Sequence, residues 1–100
     1  MKSASWVYIL KCADNSYYTG CTNDLMRRMN EHIRGTYEGY TSTRLPIELV
    51  YSKSFDNIQD AMKTEKQIKG WTRKKKEALI RGDYKLLHLL AECKNKSKTI

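Results

Sequence analysis

The chain has 100 residues, enough for one modest hydrophobic core and too few for a second domain, so any active site must be built from the scaffold itself. Its 19 lysines and arginines outnumber its 11 acidic residues and give a net charge of +8, a balance typical of proteins that bind polyanions. Its three cysteines, without CxxC or Cys/His zinc spacing, indicate neither a disulfide framework nor a structural zinc site, and we expect reduced thiols in a cytoplasmic protein.

Two short segments rich in aromatic and β-branched residues predict a β-hairpin at the start of the chain. They span residues 6–12 and 17–22, and the Asp-Asn-Ser sequence at 14–16 between them is typical of a turn. The first segment is too short for a signal peptide core or a membrane span. We therefore expect a soluble protein with no membrane partner.

The hairpin loop decides whether Tyr8 and Tyr18 lie on one face of the sheet. Because side chains alternate along a strand, a two-residue loop would put the two tyrosines on opposite faces. A three-residue loop at 14–16 would instead pair Tyr8 with Thr22 and bring both tyrosines to the same face. If the tyrosines act together, the loop has three residues.

The segment after the hairpin is predicted to be a helix that ends at Gly35. Either Thr22 or Asn23 can cap its start. An apolar stripe at helical spacing comprises Leu25, Met29 and Ile33. Arg28 and His32 are four residues apart and share one edge of the helix beside that stripe. We expect this edge to lie at the boundary between core and solvent, where both side chains can reach a cleft.

A loop and a third strand are predicted next. Residues 35–45 are rich in glycine and threonine and have no clear period, which predicts a loop long enough to be functional. Pro46 opens a strand that covers residues 47–55. Three apolar residues of that strand alternate with polar neighbours: Ile47, Leu49 and Tyr51.

The second half of the chain is predicted to be helical. Asp56 can cap a helix that ends at Gly70, Thr72 can cap another that ends at Gly82, and a short last helix covers about 84–92. The whole pattern predicts an α+β fold, a small three-stranded and mostly antiparallel sheet flanked by helices in ββαβαα order. We expect a single domain over residues 1–93 and a basic, disordered tail over 94–100.

Positive charge is concentrated between residues 63 and 81, where Glu65 and Glu77 are the only acids. We call this segment the basic stripe and expect it to contact phosphates. Its cations are Lys63, Lys66, Lys69, Arg73, Lys74, Lys75, Lys76 and Arg81.

Two tyrosine motifs and three polar residues form the pattern on which the functional interpretation depends. The motifs are Trp6-Val7-Tyr8 and, ten positions later, Tyr18-Thr19-Gly20, and Arg28, His32 and Glu65 follow them. In residue type and spacing this pattern resembles the GIY-YIG nuclease superfamily over nearly the whole chain. The likeness is greatest to small single-domain bacterial proteins of the YhbQ type and to the nuclease domain of the Slx resolvases. The resemblance implies a GIY-YIG endonuclease fold and a DNase that uses a divalent metal.

Two positions depart from the superfamily pattern. Trp6-Val7 replaces the Gly-Ile of the first motif, which is harmless if only the tyrosine takes part in the chemistry. Cys21 stands where repair subunits of the UvrC type carry a lysine, so that assisting role is empty here.

The chemistry of the residues supports the same assignment. Glu65 can be the sole protein ligand of Mg²⁺ or Mn²⁺ if substrate phosphate and water complete the octahedron. Arg28 would stabilise negative charge on the phosphoryl oxygens and lower the pKa of a nearby tyrosine, which then acts as general base. We assign that role to Tyr8 ahead of Tyr18, although either phenol could take the proton.

Two further residues have less specific roles. His32 could orient the attacking water, contact phosphate or shuttle a proton. Gly20 is expected to let the backbone approach the neighbouring helix or the substrate, where a side chain would block it.

Two other classes of function remain open at this point. The chain could be a non-catalytic nucleic-acid-binding module, or a nuclease scaffold retained for protein interactions. Glu65 favours the nuclease, because a carboxylate among lysines disfavours phosphate unless a cation lies between them. For a nuclease we expect a monomer that cleaves structured or single-stranded DNA with weak sequence specificity, in repair or recombination. RNA as substrate and a partner protein that supplies selectivity stay open.

Overall fold

The computed structural model describes residues 4–37 and 39–90. The elements are β1 (Ser5–Lys11), β2 (Tyr17–Thr22), α1 (Leu25–Arg34), β3 (Glu48–Phe55), α2 (Ile58–Lys69) and α3 (Arg73–Arg81). Residues 84–90 are also helical. The strands form one antiparallel sheet in the order β2-β1-β3. The predicted α+β class and element order are therefore confirmed.

The chain divides into two compact units, one through Lys69 and the other from Gly70 onward. The first unit contains the sheet, α1 and α2, and the second contains α3 and the helical residues 84–90. The domain predicted over 1–93 and the tail predicted over 94–100 reach outside the described residues and stay predictions. No helix in the described part of the chain is long and apolar enough to cross a bilayer.

The central strand β1 supplies most of the core of the first unit. Four consecutive side chains of β1 have no exposed surface: Val7, Tyr8, Ile9 and Leu10. A strand that is covered on both faces reads as a continuous apolar run and not as an alternation, because neither face meets water. One member of this buried run is the tyrosine of the first motif, so the candidate site begins inside the core.

The hairpin register differs from the predicted one. Tyr8 lies opposite Gly20 and not opposite Thr22. The loop does have three residues, but it covers 13–15, where Asn15 adopts a left-handed conformation with φ of 67°. Starting the loop one residue earlier shifts the pairing by two residues, which preserves the face of every side chain. The two motif tyrosines therefore share a face, as predicted.

The alternation predicted for the third strand is broken by a bulge. Between Ile9 and Leu10 of β1 the partner changes from Tyr51 to Leu49, which leaves Val50 as an extra residue. Leu49 and Tyr51 consequently point to opposite faces, and Leu49 is exposed. The sequence pattern could not show this, because the bulge is a property of the pairing of two strands.

The cap and the buried face of α1 also differ from the prediction. Asp24, and neither of the two expected residues, caps the helix by accepting from the Arg27 amide, while Gly35 ends it in a left-handed conformation as predicted. Ile33 is 61% exposed, and the fully buried side chain is His32. The helix thus turns an imidazole toward the core in place of the predicted isoleucine.

The remaining caps are simpler. Asn57, one residue after the predicted Asp56, accepts from the Asp60 amide at the start of α2. Thr72 caps α3 and Gly82 ends it, both as predicted.

Candidate active site

A hydrogen-bonded chain of three buried side chains lies at the centre of the first unit. The Tyr8 hydroxyl is 2.9 Å from His32 Nε2, and His32 Nδ1 is 2.7 Å from Thr41 Oγ1. All three side chains are almost completely buried. They come from β1, from α1 and from the loop after α1, so only the tertiary fold brings them together.

Burial decides the protonation states of Tyr8 and His32 in this hydrogen-bonded cluster. It raises the pKa of Tyr8 to about 12, although a hydrogen bond from Arg28 acts in the opposite direction. Burial, and then the charge of Arg28, lower the pKa of His32 to about 4, so the imidazole is neutral near pH 7. The expectation that Arg28 lowers the pKa of Tyr8 below its ordinary value is therefore wrong, because desolvation outweighs the nearby cation.

Arg28 reaches the same cluster from the first half of α1. Its guanidinium interacts with the Tyr8 hydroxyl and, against the larger effect of burial, lowers the pKa of that phenol; its Nε lies 3.3 Å from a carboxylate oxygen of Glu31. Its Cζ lies 4.5 Å from the ring centroid of Tyr37. About a quarter of its side chain is exposed. Arg28 is thus a cation that interacts with the buried Tyr8 phenol and is itself partly exposed to solvent.

Two aromatic residues of the 35–45 loop cover the cluster. The Tyr37 ring lies 4.5 Å from the His32 ring, measured between centroids, and Tyr40 stacks on Tyr18 at 6.1 Å. Tyr18 in turn lies 6.3 Å from the Tyr8 ring. Burial and a hydrogen bond with Tyr37 raise the pKa of Tyr18. Both motif tyrosines are therefore neutral phenols at physiological pH.

Glu65 faces the cluster from α2. It lies one turn from Ala61 and Ile68, the two buried residues of the helix, and α2 packs against β1 and β2. Burial is the main cause of the raised pKa values of Tyr8, Tyr18 and Cys21, and the Glu65 carboxylate adds to each of them. The Glu65 side chain is 19% exposed and pairs with Lys69 at 3.0 Å. All five predicted catalytic residues thus lie in one region of the first unit.

The donor set around Glu65 restricts the metals that would fit. Within residues 4–37 and 39–90, no three His, Cys, Asp or Glu side chains converge on one point. Zinc in proteins takes three or four such ligands, so this site does not fit zinc. Magnesium and manganese keep several waters and take substrate phosphate oxygens, and one partly exposed carboxylate suits them.

Gly20 lies directly opposite Tyr8 in the hairpin. A Cβ at Gly20 would overlap the Tyr8 hydroxyl and the end of its ring. The expected close approach is therefore real, and the group that approaches Gly20 is the Tyr8 phenol in place of the expected helix. Glycine here makes the space in which the phenol can point toward His32.

The basic stripe divides between the two units and includes one buried lysine. Lys75 is 8% exposed, and its Nζ lies 4.5 Å from the ring centroid of Trp71. Because Lys75 packs on Trp71 and exposes little surface, it is less accessible to a phosphate than the other cations of the stripe, and its predicted contact stays a prediction. The other predicted cations are exposed or partly exposed: Lys63, Lys66 and Lys69 on α2, and Arg73, Lys74, Lys76 and Arg81 on α3.

An open pocket adjoins Arg28. It has a volume of about 220 Å³ and is lined by Thr22, Asn23, Asp24, Arg27, Arg28 and Glu31. Because two arginines line this pocket, its charge suits the binding of a phosphate group. Glu31 pairs with both arginines, so a phosphate bound there would compete with that carboxylate.

The sequence did not indicate three residues of the site: Tyr37, Tyr40 and Thr41. The only signal was that their loop is long and carries two tyrosines. Nothing in its sequence indicates which side chains turn inward, because that depends on the packing of α1 against the sheet.

The low pKa of His32 makes the stability of the fold depend on pH. Its folded pKa of about 4 lies below the ordinary histidine pKa of 6.5. The unfolded chain therefore binds a proton first as pH falls, and stability present above pH 6.5 is lost toward pH 4. We expect a loss of about 3 kcal/mol from this residue, at about 1.4 kcal/mol per pKa unit, measured by urea denaturation across that range. His32→Gln should remove this component and His88→Gln should keep it; equal profiles for wild type and His32→Gln would contradict the assignment.

The sequence and the fold of this chain are both similar to those of known proteins. The model of the GIY-YIG catalytic domain matches residues 4–78. A UPF0213 protein of Bacillus pumilus is 46% identical over 79 residues, which cover 79% of this chain and 81% of the relative. The UPF0213 protein YazA of Bacillus subtilis is 47% identical over 73 residues, covering 73% and 74% of the two chains.

Solved structures of similar proteins agree. The solution NMR structure of a UPF0213 protein from Bacillus halodurans is 41% identical, with a TM-score of 0.53 over 78% of this chain and 83% of that chain. An NMR structure of a protein from E. faecalis is 33% identical, with a TM-score of 0.56 over 84% and 92%.

Proposed function

The chain belongs to the GIY-YIG family, whose members are endonucleases, and on that premise we propose that it is a metal-dependent nuclease that hydrolyses phosphodiester bonds in DNA. The observation that supports this most is the convergence of Tyr8, His32, Arg28 and Glu65 in one region, from three separate elements. A module that only binds nucleic acid has no use for a buried phenol and imidazole beside a carboxylate.

The geometry supports a proton relay as the general base. A phenol with a pKa of about 12 is not ionised near pH 7, so Tyr8 is a neutral phenol before the reaction begins. It can accept the proton of the attacking water only if it passes its own proton on at the same time. His32 Nε2, 2.9 Å from the hydroxyl and neutral, is placed to receive it.

Arg28 and Glu65 complete the proposed mechanism. Arg28, at the edge of the cluster, would bind the phosphate and stabilise the charge that develops on its oxygens. Glu65 would hold Mg²⁺ or Mn²⁺, which supplies Lewis-acid stabilisation of the phosphoryl and leaving oxygens. Tyr8 has no exposed surface, so the side chains that cover it must move for water and substrate to reach it.

The proposed substrate is structured or single-stranded DNA, cut with weak sequence specificity in the cytoplasm, in repair or recombination. The exposed cations of α2 and α3 would contact phosphates, and such contacts carry little sequence information. A partner protein could add selectivity.

The direct test is cleavage of labelled single-stranded, duplex and branched DNA with Mg²⁺ or Mn²⁺, by wild type beside Glu65→Gln. Cleavage by wild type alone, abolished by chelation, is the expected result. Binding of the same DNAs without cleavage by either protein would favour a nucleic-acid-binding module. A parallel set of RNA substrates separates the two nucleic acids.

Replacing exposed lysines of the stripe should weaken binding uniformly across sequences. For Lys66→Ala in α2 and Lys74→Ala in α3, tested separately, we expect the slope of log K against log salt to fall by about 0.7 to 0.9 per lost phosphate contact. Fluorescence anisotropy at several salt concentrations measures this slope. Lys53→Ala, an exposed lysine of β3 outside the stripe, is the control, and an equal change for Lys53→Ala would argue against a localised stripe.

Replacing Gly20 by alanine should displace the Tyr8 phenol and disable cleavage without unfolding the protein. We expect a fall in kcat of about 100-fold or more, because the added methyl occupies the position of the hydroxyl and proton transfer is lost. Gly82→Ala is the matched control, since its left-handed glycine has no neighbour within 4 Å and its replacement costs only stability, about 1–2 kcal/mol. Normal cleavage by Gly20→Ala protein would show that the Tyr8 position does not matter.

A further inference from the structure

Thr41 is a buried polar residue of the cluster that has no role in the mechanism proposed above. Its hydroxyl oxygen lies 2.7 Å from His32 Nδ1, and its side chain is 1% exposed. Threonines in surface loops usually turn the hydroxyl to water. Here the loop instead places the Thr41 hydroxyl beside Nδ1 of the buried His32 ring.

The loop is fastened in a way that holds Thr41 in place. The Arg44 amide donates to the Thr41 carbonyl at 3.0 Å. Arg44 also pairs with Asp14 of the hairpin turn at 3.0 Å, and its carbonyl accepts from the Ala13 amide. The position of the Thr41 hydroxyl is therefore tied to the same hairpin that carries Tyr8.

The groups around Tyr8 favour one of the two neutral imidazole tautomers. Arg28, which can only donate, interacts with the phenol of Tyr8 and lowers its pKa against the larger effect of burial. A donor on this side of the phenol favours a phenol proton that points to His32 Nε2, with Nε2 as the unprotonated nitrogen. A neutral imidazole then carries its proton on Nδ1, and the acceptor within reach of Nδ1 is Thr41 Oγ1.

We propose that Thr41 is a positioning residue that accepts the Nδ1 proton of His32 and so keeps Nε2 available for the proton of Tyr8. Its catalytic consequence rests on the proposed function. In the reaction, a water proton passes to Tyr8 Oη as the Tyr8 proton passes to His32 Nε2. His32 becomes an imidazolium that still donates from Nδ1 to Thr41. It later returns its extra proton to Tyr8 Oη as Tyr8 releases the proton taken from water to the leaving oxygen or to solvent, which restores both residues.

The tautomer can be measured without any substrate. The ¹⁵N chemical shifts of the His32 ring at pH 7 distinguish a protonated Nδ1 from a protonated Nε2, and His88→Gln assigns the signals, since the chain has two histidines. We expect Nδ1–H in wild type and in Thr41→Ser. Thr41→Val, which replaces the hydroxyl by a methyl of similar size, should move the population toward Nε2–H. A protonated Nε2 in wild type, or an unchanged tautomer in Thr41→Val, would overturn the proposal.

Cleavage kinetics provide the second measurement. We expect Thr41→Val to lower kcat by about 10- to 100-fold, the range known for loss of the hydrogen-bond partner of a metal-bound imidazole, with little change in KM and with recovery in Thr41→Ser. Thr43→Val, at an exposed position of the same loop, should leave kcat unchanged. Equal kcat values for Thr41→Val and wild type would also overturn the proposal. If wild type cleaves no substrate, the nuclease assignment fails, while the NMR result still decides the tautomer.

Discussion

Tyr8→Phe protein is expected to bind DNA as tightly as wild type and to cleave it about 100- to 10,000-fold more slowly, the usual contribution of a general base. The ring stays in the core, so packing is kept. Only the hydroxyl that links Arg28 to His32 is lost. Single-turnover cleavage with saturating enzyme measures this effect apart from binding and product release.

Tyr18→Phe is the matched control for this prediction. Tyr18 is the other motif tyrosine on the same face, but the hydroxyl within hydrogen-bond distance of His32 Nε2 is that of Tyr8. We expect a smaller effect, about tenfold or less, since it is not linked to the relay. A larger loss in Tyr18→Phe than in Tyr8→Phe would exchange the two roles and remove the relay through His32. Thermal melting of both variants shows whether the loss of a buried hydroxyl has unfolded the site.

Glu65→Gln is expected to abolish metal-dependent cleavage, with a loss of at least about 1,000-fold. Lewis-acid stabilisation is worth several kcal/mol, and about 1.4 kcal/mol corresponds to a factor of ten in rate. Binding should stay the same or become tighter, because a negative charge near the phosphate is removed. Cleavage across a titration of Mg²⁺ or Mn²⁺, with binding measured in parallel, gives both quantities.

The chain offers a close control for this substitution. Glu77 pairs with Arg73 at 3.1 Å, one helical turn away, as Glu65 pairs with Lys69 at 3.0 Å. Glu77→Gln therefore removes a similar ion pair on another helix and should leave cleavage intact. If Glu65→Gln and Glu77→Gln reduce cleavage equally, the effect comes from the surface charge and the metal assignment fails.

The sequence determined the fold class because local signals agree with the global arrangement. Glycine at the end of α1 and α3, a short polar turn in the hairpin and an apolar run in β1 each act within a few residues. They are consequently visible without the structure. The same holds for the candidate residues Tyr8, Tyr18, Arg28, His32 and Glu65, which were found from residue type and spacing.

Tertiary structure alone decided the properties that depend on several elements at once. The register of the hairpin and the bulge in β3 depend on strand pairing, which moved the partner of Tyr8 to Gly20. The protonation of Tyr8 and His32 depends on burial between β1 and α1, which reversed the expected direction of the tyrosine pKa. The role of Thr41 depends on how a loop without periodicity folds over an imidazole nine positions earlier. Such features follow from packing and desolvation, which sum over distant parts of the chain and leave no local pattern in the sequence.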